Sequence, residues 1–287
     1  MPRRIPVGRP DDGPYALGLD ATGDVWASLV YSGRLAHVTA DGPELVDLRA
    51  PNSRPSRFAT TPDGSLWCTR TGDHRVDRLV DGAWRGVGTG AGTGPYDVTA
   101  GPDGAAWFTA MEAEAIGRID PVTEEVTLYP LPVAGMVAMI TTGPDGALWC
   151  TLNRVGALAR LDPASGTVEL RDLPDAGCGP VGIAGDAGGL WFVEILAGRV
   201  GRLTTDGALT EYDLPDRASK PHAVVTAESG CWVSLWGSSG LAHVADDGTV
   251  TVHDVLEADD HPHGLLVRDG ELWVACDSGT VVVLNQD

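Results

Sequence analysis

Four residues in the last quarter of the sequence have side chains suited to proton transfer or metal binding. They are His222, His261, His263 and Asp277. Imidazole titrates near neutral pH, which suits a general base, and nitrogen and oxygen ligands together suit a divalent metal. His261 and His263 are two positions apart, so a strand would place both on one face. These residue types therefore indicate acid–base chemistry, metal binding or both.

A recurrent tryptophan predicts the elements that position these residues. It recurs at intervals of 40 to 42 residues, as Trp26, Trp67, Trp107, Trp149, Trp191, Trp232 and Trp273. A period of 40 to 45 residues is typical of β-propellers, with one four-stranded blade per copy. We predict an all-β, seven-bladed propeller over residues 1–287, a single domain. An N-terminal strand, Arg3 to Val7, should complete blade seven and close the ring, which leaves no long unpaired sheet edge.

Alignment of the seven copies places the four residues at the mouth of the central channel. The first strand of each blade lines the channel, and its start lies beside the end of the antiparallel second strand. His222 and His263 each follow the proline that opens a first strand, His261 precedes such a proline, and Asp277 follows a second strand. We therefore expect the four side chains to converge. The alternative, that the histidines cap turns and Asp277 shapes an Asp-Ser-Gly turn, stays open.

Four other residues depart from the repeat near the same rim. Tyr15 and Tyr96 hold the position of His222 in blades one and three, and Trp236 is an extra tryptophan on the blade of His222. Aromatic residues at a channel mouth pack or stack on ligands, and we predict that these three bind substrate. Glu194 is the only carboxylate at its repeat position. It is predicted either to bind substrate from the channel wall or to be a salt-bridged rim residue.

Composition excludes several function classes. The net charge of −20, from 20 basic and 40 acidic residues, disfavours binding to nucleic acids and to anionic membrane surfaces. No apolar stretch reaches the length of a membrane span, and the first residues lack a signal peptide's apolar segment, so we expect a cytoplasmic protein. The five cysteines contain no CxxC pair and are predicted to be reduced packing residues. We expect a monomer that acts on a small molecule.

Several motifs of this repeat resemble those of the virginiamycin B lyases, also called streptogramin B lyases. The resemblance covers essentially the whole chain. It includes the Gly-Pro-Asp-Gly of 101–104, Trp107-Phe108-Thr109, Gly117-Arg118-Ile119 and Trp191-Phe192-Val193. More specific are Lys220-Pro221-His222-Ala223, Pro262-His263-Gly264 and Trp236-Gly237. The family implied is a seven-bladed propeller that opens cyclic depsipeptide antibiotics at an ester by elimination, with magnesium.

The resemblance also implies roles for individual residues. His263 matches the family's proposed general base, and His222 matches its second essential histidine. His261 and Asp277 stand where the family has two glutamates, so the resemblance implies metal ligation by both. Replacing a carboxylate with imidazole disfavours magnesium and favours manganese, iron or zinc. Tyr15, Tyr96 and Trp236 would then hold a hydrophobic cyclic substrate.

Two other functions remain possible on the sequence. A related propeller enzyme, acting as a hydrolase, isomerase or cyclisation catalyst, would have the same architecture, because a fold does not fix a reaction. A non-catalytic propeller that binds a small molecule or a partner protein would also have it. Three histidines in adjacent blades favour an enzyme over a simple scaffold.

Overall fold

The tryptophan repeat folds into seven antiparallel sheets of four strands each. A computed structural model describes residues 2–286. Six sheets are built from four consecutive strands, so each blade is a meander of short hairpins. The predicted all-β, seven-bladed propeller is therefore confirmed.

The strands have the following bounds. Blade one contains β2 (Pro14–Leu19), β3 (Val25–Leu29), β4 (Arg34–Thr39) and β5 (Gly42–Asp47). Blade two contains β6 (Pro55–Thr60), β7 (Leu66–Arg70), β8 (Arg75–Val80) and β9 (Ala83–Gly88). Blade three contains β10 (Pro95–Ala100), β11 (Ala106–Ala110), β12 (Ala115–Ile119) and β13 (Val126–Pro130). Blade four contains β14 (Val137–Thr142), β15 (Leu148–Leu152), β16 (Ala157–Leu161) and β17 (Val168–Asp172).

The second half of the ring continues the pattern. Blade five contains β18 (Pro180–Asp186), β19 (Gly189–Glu194), β20 (Arg199–Thr204) and β21 (Leu209–Asp213). Blade six contains β22 (Pro221–Thr226), β23 (Cys231–Leu235), β24 (Gly240–Val244) and β25 (Val250–His253). Blade seven contains β26 (Pro262–Arg268), β27 (Glu271–Cys276), β28 (Thr280–Asn285) and β1 (Arg3–Pro6). Three short 3-10 helices cover Pro10–Asp12, Thr71–Asp73 and Trp236–Ser238.

The N-terminal strand closes the ring. β1 pairs antiparallel with β28, with Arg3 opposite Val283 and Pro6 opposite Thr280. The first strands of successive blades contact one another around the whole ring, and the last contact joins β26 to β2. These seven strands therefore line the central channel, as the repeat predicts.

A tryptophan anchors the hairpin at the far end of the blade from the channel mouth. In blade three the buried Trp107 donates its indole N–H to Asp103 at 2.9 Å, and Arg118 pairs with the same carboxylate at 2.7 Å. The same trio recurs in blades four and five as Asp145, Trp149, Arg160 and as Asp186, Trp191, Arg202. The repeat is thus maintained by an aromatic ring buried between sheets and a shared carboxylate in the turn.

Two further observations concern the cysteines and the helices. All five cysteines are buried and free, which confirms that they are reduced packing residues. Within the part of the chain that the structure describes, no helix is long and apolar enough to cross a membrane.

Candidate active site

A bulge at the start of every first strand positions the candidate site residues. In each blade the pairing of first and second strands shifts register between the first and fourth residues of the first strand. The two residues inside the bulge are released from the regular ladder, and the first of them is Tyr15, Tyr96, His222 or His263 in four of the blades. Bulges commonly re-aim side chains next to active sites.

Four of the predicted residues form one cluster across the channel. The Tyr15 hydroxyl is hydrogen-bonded to the Tyr96 hydroxyl and lies 3.2 Å from Nε2 of His222. The His263 ring centroid is 4.7 Å from that of Tyr15 and 4.9 Å from that of His222. Both histidines are buried. Blades one, three, six and seven therefore meet through side chains at this level of the channel.

The environment of His222 keeps it uncharged. Burial, followed by the charges of His263 and Arg57, holds the pKa of His222 well below its usual range. Burial raises the pKa of Tyr15 well above its usual range. At neutral pH the contact between them is thus a hydrogen bond between a phenol and a neutral imidazole.

His263 has a carboxylate partner. Its Nε2 lies 3.2 Å from the Asp277 carboxylate, as the antiparallel alignment predicts for the end of β27 beside the start of β26. Asp277 is partly exposed, whereas the His263 side chain is one-tenth exposed. This carboxylate–imidazole pair can orient the ring and stabilise the imidazolium that a general base becomes.

His261 does not join Asp277. Its Nδ1 lies 3.2 Å from the carbonyl oxygen of Trp236 and 3.3 Å from the Ser239 hydroxyl. The Asp277 carboxylate contacts His263 instead. The expected convergence of all four residues is therefore correct for His222, His263 and Asp277, while His261 lies beside the Trp236 ring at 6.2 Å.

Trp236 lies at the edge of the cluster. Its ring centroid is 6.1 Å from that of His263, and the ammonium of Lys220 lies 4.9 Å from it. The sequence predicts that Trp236 binds substrate, and its place beside His263 keeps it available for that role.

Glu194 faces away from the cluster. Its side chain is fully buried, and its Oε2 lies 2.7 Å from Nε of Arg199, which also pairs with Glu211 at 3.2 Å and with Asp175 at 3.1 Å. Burial, and then the neighbouring Glu211, raise the pKa of Glu194 to about 7. The Glu194 carboxylate is therefore enclosed in a salt-bridge cluster, as the alternative prediction of a salt-bridged residue describes, and it touches no residue of the cluster at the mouth.

A buried ion pair on the channel wall is not among the residues that the sequence predicts for the site. Arg57 and Asp97 are the second bulge residues of blades two and three, and Nε of Arg57 lies 3.3 Å from the Asp97 carboxylate. Asp97 also accepts backbone N–H groups from Val98 and Ile140, each at 2.9 Å. Charged residues occur at this repeat position only in these two blades, and that departure was the available signal. The guanidinium of Arg57 is near enough to Tyr15, Tyr96 and His222 to lower the pKa of each, and the Asp97 carboxylate opposes this effect at the two tyrosines.

The residue before each first strand has a left-handed backbone. All seven have positive φ: Gly13, Arg54, Gly94, Met136, Gly179, Lys220 and His261. A non-glycine residue in this region carries strain of about 1–2 kcal/mol. Four blades accept that strain and thereby place a side chain at the channel mouth.

The glycines at this position make room for a neighbouring side chain. A Cβ on Gly94 would lie 2.7 Å from Glu112, one on Gly179 would lie 2.7 Å from Leu196, and one on Gly13 would collide with Tyr31. In blade six the glycine is in the turn after the second strand instead. Gly237 occupies there the position that Tyr31, Glu112 and Leu196 have in their blades, and a Cβ on Gly237 would lie 3.1 Å from Lys220. In these four blades, therefore, the side chain at the channel mouth belongs either to the residue before the first strand or to the turn after the second strand, and the other position is glycine.

One group of three candidate metal ligands lies at the other end of the ring. It contains Asp20, Asp24 and His37. The His37 ring stacks on Trp26 at 4.2 Å, and the Trp26 indole donates to Asp20. His37 therefore replaces the arginine that other blades place against the tryptophan and the turn carboxylate, and the group is explained by the structural repeat.

The donor set at the mouth suits only an open metal site. Among residues 2–286, no three His, Cys, Asp or Glu ligand atoms converge within 4.8 Å at the mouth. Asp277 offers one partly exposed carboxylate, and exposed His261 offers an imidazole. One carboxylate fits a divalent cation that keeps waters and takes its other ligands from a substrate. A closed, all-protein site does not fit.

Comparisons with known proteins identify the family. The model of the Virginiamycin B lyase family matches residues 2–284. The virginiamycin B lyase of Nocardia farcinica (strain IFM 10152) is 37% identical over 213 residues, which is 74% of each chain. The crystal structure of selenomethionine-substituted virginiamycin B lyase from Staphylococcus aureus has a TM-score of 0.94 at 27% identity and covers 100% of this chain and 99% of that chain.

A second structure of that enzyme carries a ligand. It is a catalytically inactive histidine-to-alanine variant of the Staphylococcus aureus virginiamycin B lyase with quinupristin. Its TM-score is 0.94 at 26% identity, and the match covers 100% of this chain and 99% of that chain. By sequence and fold together, the seven-bladed propeller described above belongs to the virginiamycin B lyase family and is an enzyme of the lyase class.

Proposed function

We propose that this lyase opens a cyclic depsipeptide of the streptogramin B type at its ester bond by β-elimination, with His263 as general base. The observation that carries the proposal is the contact between His263 and Asp277, 3.2 Å apart at the channel mouth, with His222 and Tyr15 against the same imidazole. An oriented, largely buried imidazole is the group that abstraction of a weakly acidic C–H proton requires.

The proposed elimination consumes no water. His263 takes the proton from the carbon between a carbonyl and the ester-bearing carbon. The C–H electron pair becomes a carbon–carbon double bond, and the C–O bond of the ester breaks. The released carboxylate carries away the negative charge, and the imidazolium later returns its proton to solvent.

Asp277 sets the tautomer of the base. A carboxylate accepts hydrogen bonds, so Nε2 of His263 carries the hydrogen and the lone pair lies on Nδ1. That nitrogen is buried and has no hydrogen-bond partner within the described part of the chain, so a substrate reaches it only when the neighbouring side chains move. Asp277 would also stabilise the imidazolium after proton transfer.

His222 and Tyr15 form the second half of the proposed machinery. The Nε2–H of neutral His222 donates to the Tyr15 hydroxyl at 3.2 Å, and Tyr15 in turn donates to the Tyr96 hydroxyl. Negative charge that develops on the substrate carbonyl is stabilised by preorganised donors. The Tyr96 hydroxyl, whose own proton this chain of hydrogen bonds leaves free, provides such a donor, and the guanidinium of Arg57 lies behind it, paired with Asp97.

A divalent metal would be held by Asp277, with His261 as a second ligand once it leaves the Trp236 carbonyl. When bound, such a metal would polarise the substrate carbonyl and acidify the adjacent C–H. Magnesium is the metal that the family resemblance implies. Manganese, iron or zinc would suit the imidazole of His261 better.

The mouth suits a large, partly apolar ring. Tyr31 is 66% exposed and Leu196 is 69% exposed, and both belong to turns at the mouth. Trp236 adds a third aromatic or apolar group next to His263. Exposed apolar groups around a polar cluster are typical of small-molecule sites, and quinupristin bound to the Staphylococcus aureus relative is a molecule of the expected kind.

The test is mass spectrometry of quinupristin incubated with the purified protein and Mg²⁺, Mn²⁺ or Zn²⁺. Elimination gives an opened product with the mass of the substrate, whereas hydrolysis adds one water. We expect the unchanged mass, and we expect His263→Ala to lower turnover by at least about 100-fold. His243→Ala, a histidine on the third strand of blade six, is the control. A product that has gained water, or no product with any of the three metals, would contradict the proposal.

A further inference from the structure

A buried hydroxyl ties each of five blades to the next one. It lies on the second strand, accepts the N–H of the second bulge residue of its own blade, and donates to the carbonyl of the first bulge residue of the next blade. In blade two, Thr69 accepts from Arg57 N at 3.0 Å and donates to Tyr96 O at 2.7 Å. The five hydroxyls are those of Ser28, Thr69, Thr109, Thr151 and Ser234.

Blades five and seven are built differently. The hydroxyl position holds Val193 and Ala275, and the second bulge residue is Gly182 and Gly264, respectively. A Cβ on Gly182 would lie 2.6 Å from the carbonyl oxygen of the next blade's first bulge residue, and the same distance applies to Gly264. The other blades have Ala16, Arg57, Asp97, Met139 and Ala223 at this position. Only blades five and seven therefore combine a missing hydroxyl with a missing Cβ, and their neighbours' backbones occupy the space of that Cβ.

These two junctions carry two interacting site residues. The backbone that lies against Gly182 is that of His222, and the backbone that lies against Gly264 is that of Tyr15. The Tyr15 hydroxyl and Nε2 of His222 are 3.2 Å apart. The two close approaches thus occur where the strands carrying this hydrogen bond meet the preceding blades.

We propose that Gly182 and Gly264 are positioning residues of the enzyme, whose missing Cβ atoms let the strands of His222 and Tyr15 lie close enough to their neighbours for the phenol and the imidazole to meet. The effect on catalysis rests on the proposed function, whereas the effect on the geometry does not. Real Cβ atoms essentially never lie under 3.0 Å from another heavy atom. An added methyl group would therefore push the carbonyl of Tyr15 or His222 away by several tenths of an ångström, and a bond already at 3.2 Å would be lost.

The most informative variants give the junctions after blades five and seven the Cβ and the hydroxyl that the other five junctions have. Gly264→Ala combined with Ala275→Thr supplies the Cβ and the hydroxyl that other blades have, and Gly182→Ala combined with Val193→Thr does the same in blade five. We expect both double variants to fold, because five blades already use this arrangement. We expect kcat for quinupristin opening to fall by about 10- to 100-fold, with a smaller change in KM, because misplacement by up to 1 Å has effects of this size.

Two controls separate positioning from stability. Thr151→Val removes the hydroxyl at the junction of blades four and five, which carries Val181 and no site residue, and it should leave kcat within about twofold. In a Tyr15→Phe background, adding Gly264→Ala and Ala275→Thr should lower kcat little further, because the hydroxyl that these substitutions displace is already absent. Full additivity, or unchanged kcat in a folded double variant, would overturn the proposal.

A readout without substrate keeps the geometry testable if quinupristin is not opened. In protein labelled with ¹⁵N-histidine, the Nε2 resonance of His222 reports its hydrogen bond to Tyr15. Both double variants should shift this resonance toward its position in Tyr15→Phe, whereas Thr151→Val should not. An unshifted resonance in both would overturn the proposal whatever the activity.

Discussion

The Tyr15 hydroxyl lies 3.2 Å from Nε2 of His222, although 207 positions separate the two residues in the chain. Blade one follows blade seven in the ring, so blade seven alone stands between the two strands. His263 of that blade packs against both rings, at 4.7 Å from Tyr15 and 4.9 Å from His222. Closure of the ring by β1 thus assembles the proposed active site as well as the sheet of blade seven.

Loss of the carboxylate partner of His263 should impair proton abstraction. We expect Asp277→Asn to lower kcat by about 100-fold, because an amide neither fixes the Nε2–H tautomer nor stabilises the imidazolium. Steady-state kinetics of quinupristin opening provides the measurement, with Asp259→Asn on the exposed loop before blade seven as the control. Wild-type kcat in Asp277→Asn would show that His263 needs no carboxylate.

A carboxylate at position 261 should lower the magnesium concentration that turnover requires. We expect His261→Glu to lower the Mg²⁺ concentration for half-maximal turnover by roughly tenfold, since magnesium prefers oxygen ligands and changes near a metal site have effects of this size. His261→Gln, which has no charge, is the control. Turnover after chelation and Mg²⁺ titration is the measurement, and an equal or higher requirement in His261→Glu would exclude position 261 as a ligand.

The ion pair between Arg57 and Asp97 should contribute unequally to stability. Burial raises the pKa of Asp97, so this carboxyl can take up a proton when Arg57 is absent. Without Asp97, by contrast, Arg57 stays charged because a guanidinium does not lose its proton in a protein. We expect Asp97→Ala to lower the free energy of unfolding by about 3–5 kcal/mol and Arg57→Met to lower it by less. Urea unfolding of both single variants and the double variant tests this order. A larger loss in Arg57→Met would contradict it.

Glu194 should make stability depend on pH. Its folded pKa is raised to about 7 from 4.5, so the folded state binds more protons than the unfolded state between these values. Stability contributed by Glu194 is therefore fully present below pH 4.5 and is lost as the pH rises through 7. We expect Glu194→Gln to be more stable than wild type at pH 8.

The same two proteins should be of nearly equal stability at pH 5, where Glu194 is mostly protonated in the folded chain. Urea unfolding at both pH values gives the comparison. Glu169→Gln serves as the control because it removes an exposed carboxylate from a different arginine, Arg160. A Glu194→Gln protein less stable than wild type at pH 8 would mean that the ion pair with Arg199 outweighs the cost of burial.

The fold and part of the site follow from the sequence by itself. The spacing from Trp26 to Trp273 determines seven blades, because one tryptophan anchors one hairpin in each. The position of His263 and Asp277 in the repeat predicts their contact, because the start of a first strand lies beside the end of its antiparallel partner. Both inferences concern places within a single blade, which local periodicity determines.

The tertiary structure decided which residues meet between blades. Glu194 departs from the repeat as clearly as Asp277 does, yet its carboxylate turns to Arg199 and is buried. His261 shares a strand face with His263 in the sequence pattern, but its left-handed backbone directs it to Trp236 and Ser239. Such outcomes depend on backbone conformation and neighbouring side chains, which a repeat does not specify.

Contacts across the channel are the hardest to predict from the sequence. On our proposal, the meeting of Tyr15 with His222 depends on how closely the backbones approach at the two junctions that hold Gly182 and Gly264. Where a hydroxyl such as Thr69 bridges two blades, the second bulge residue has a Cβ, whereas at Gly182 and Gly264 the backbone of the next blade occupies the place of that atom. The sequence thus determines the ring and its rim, whereas packing between the blades determines the active site.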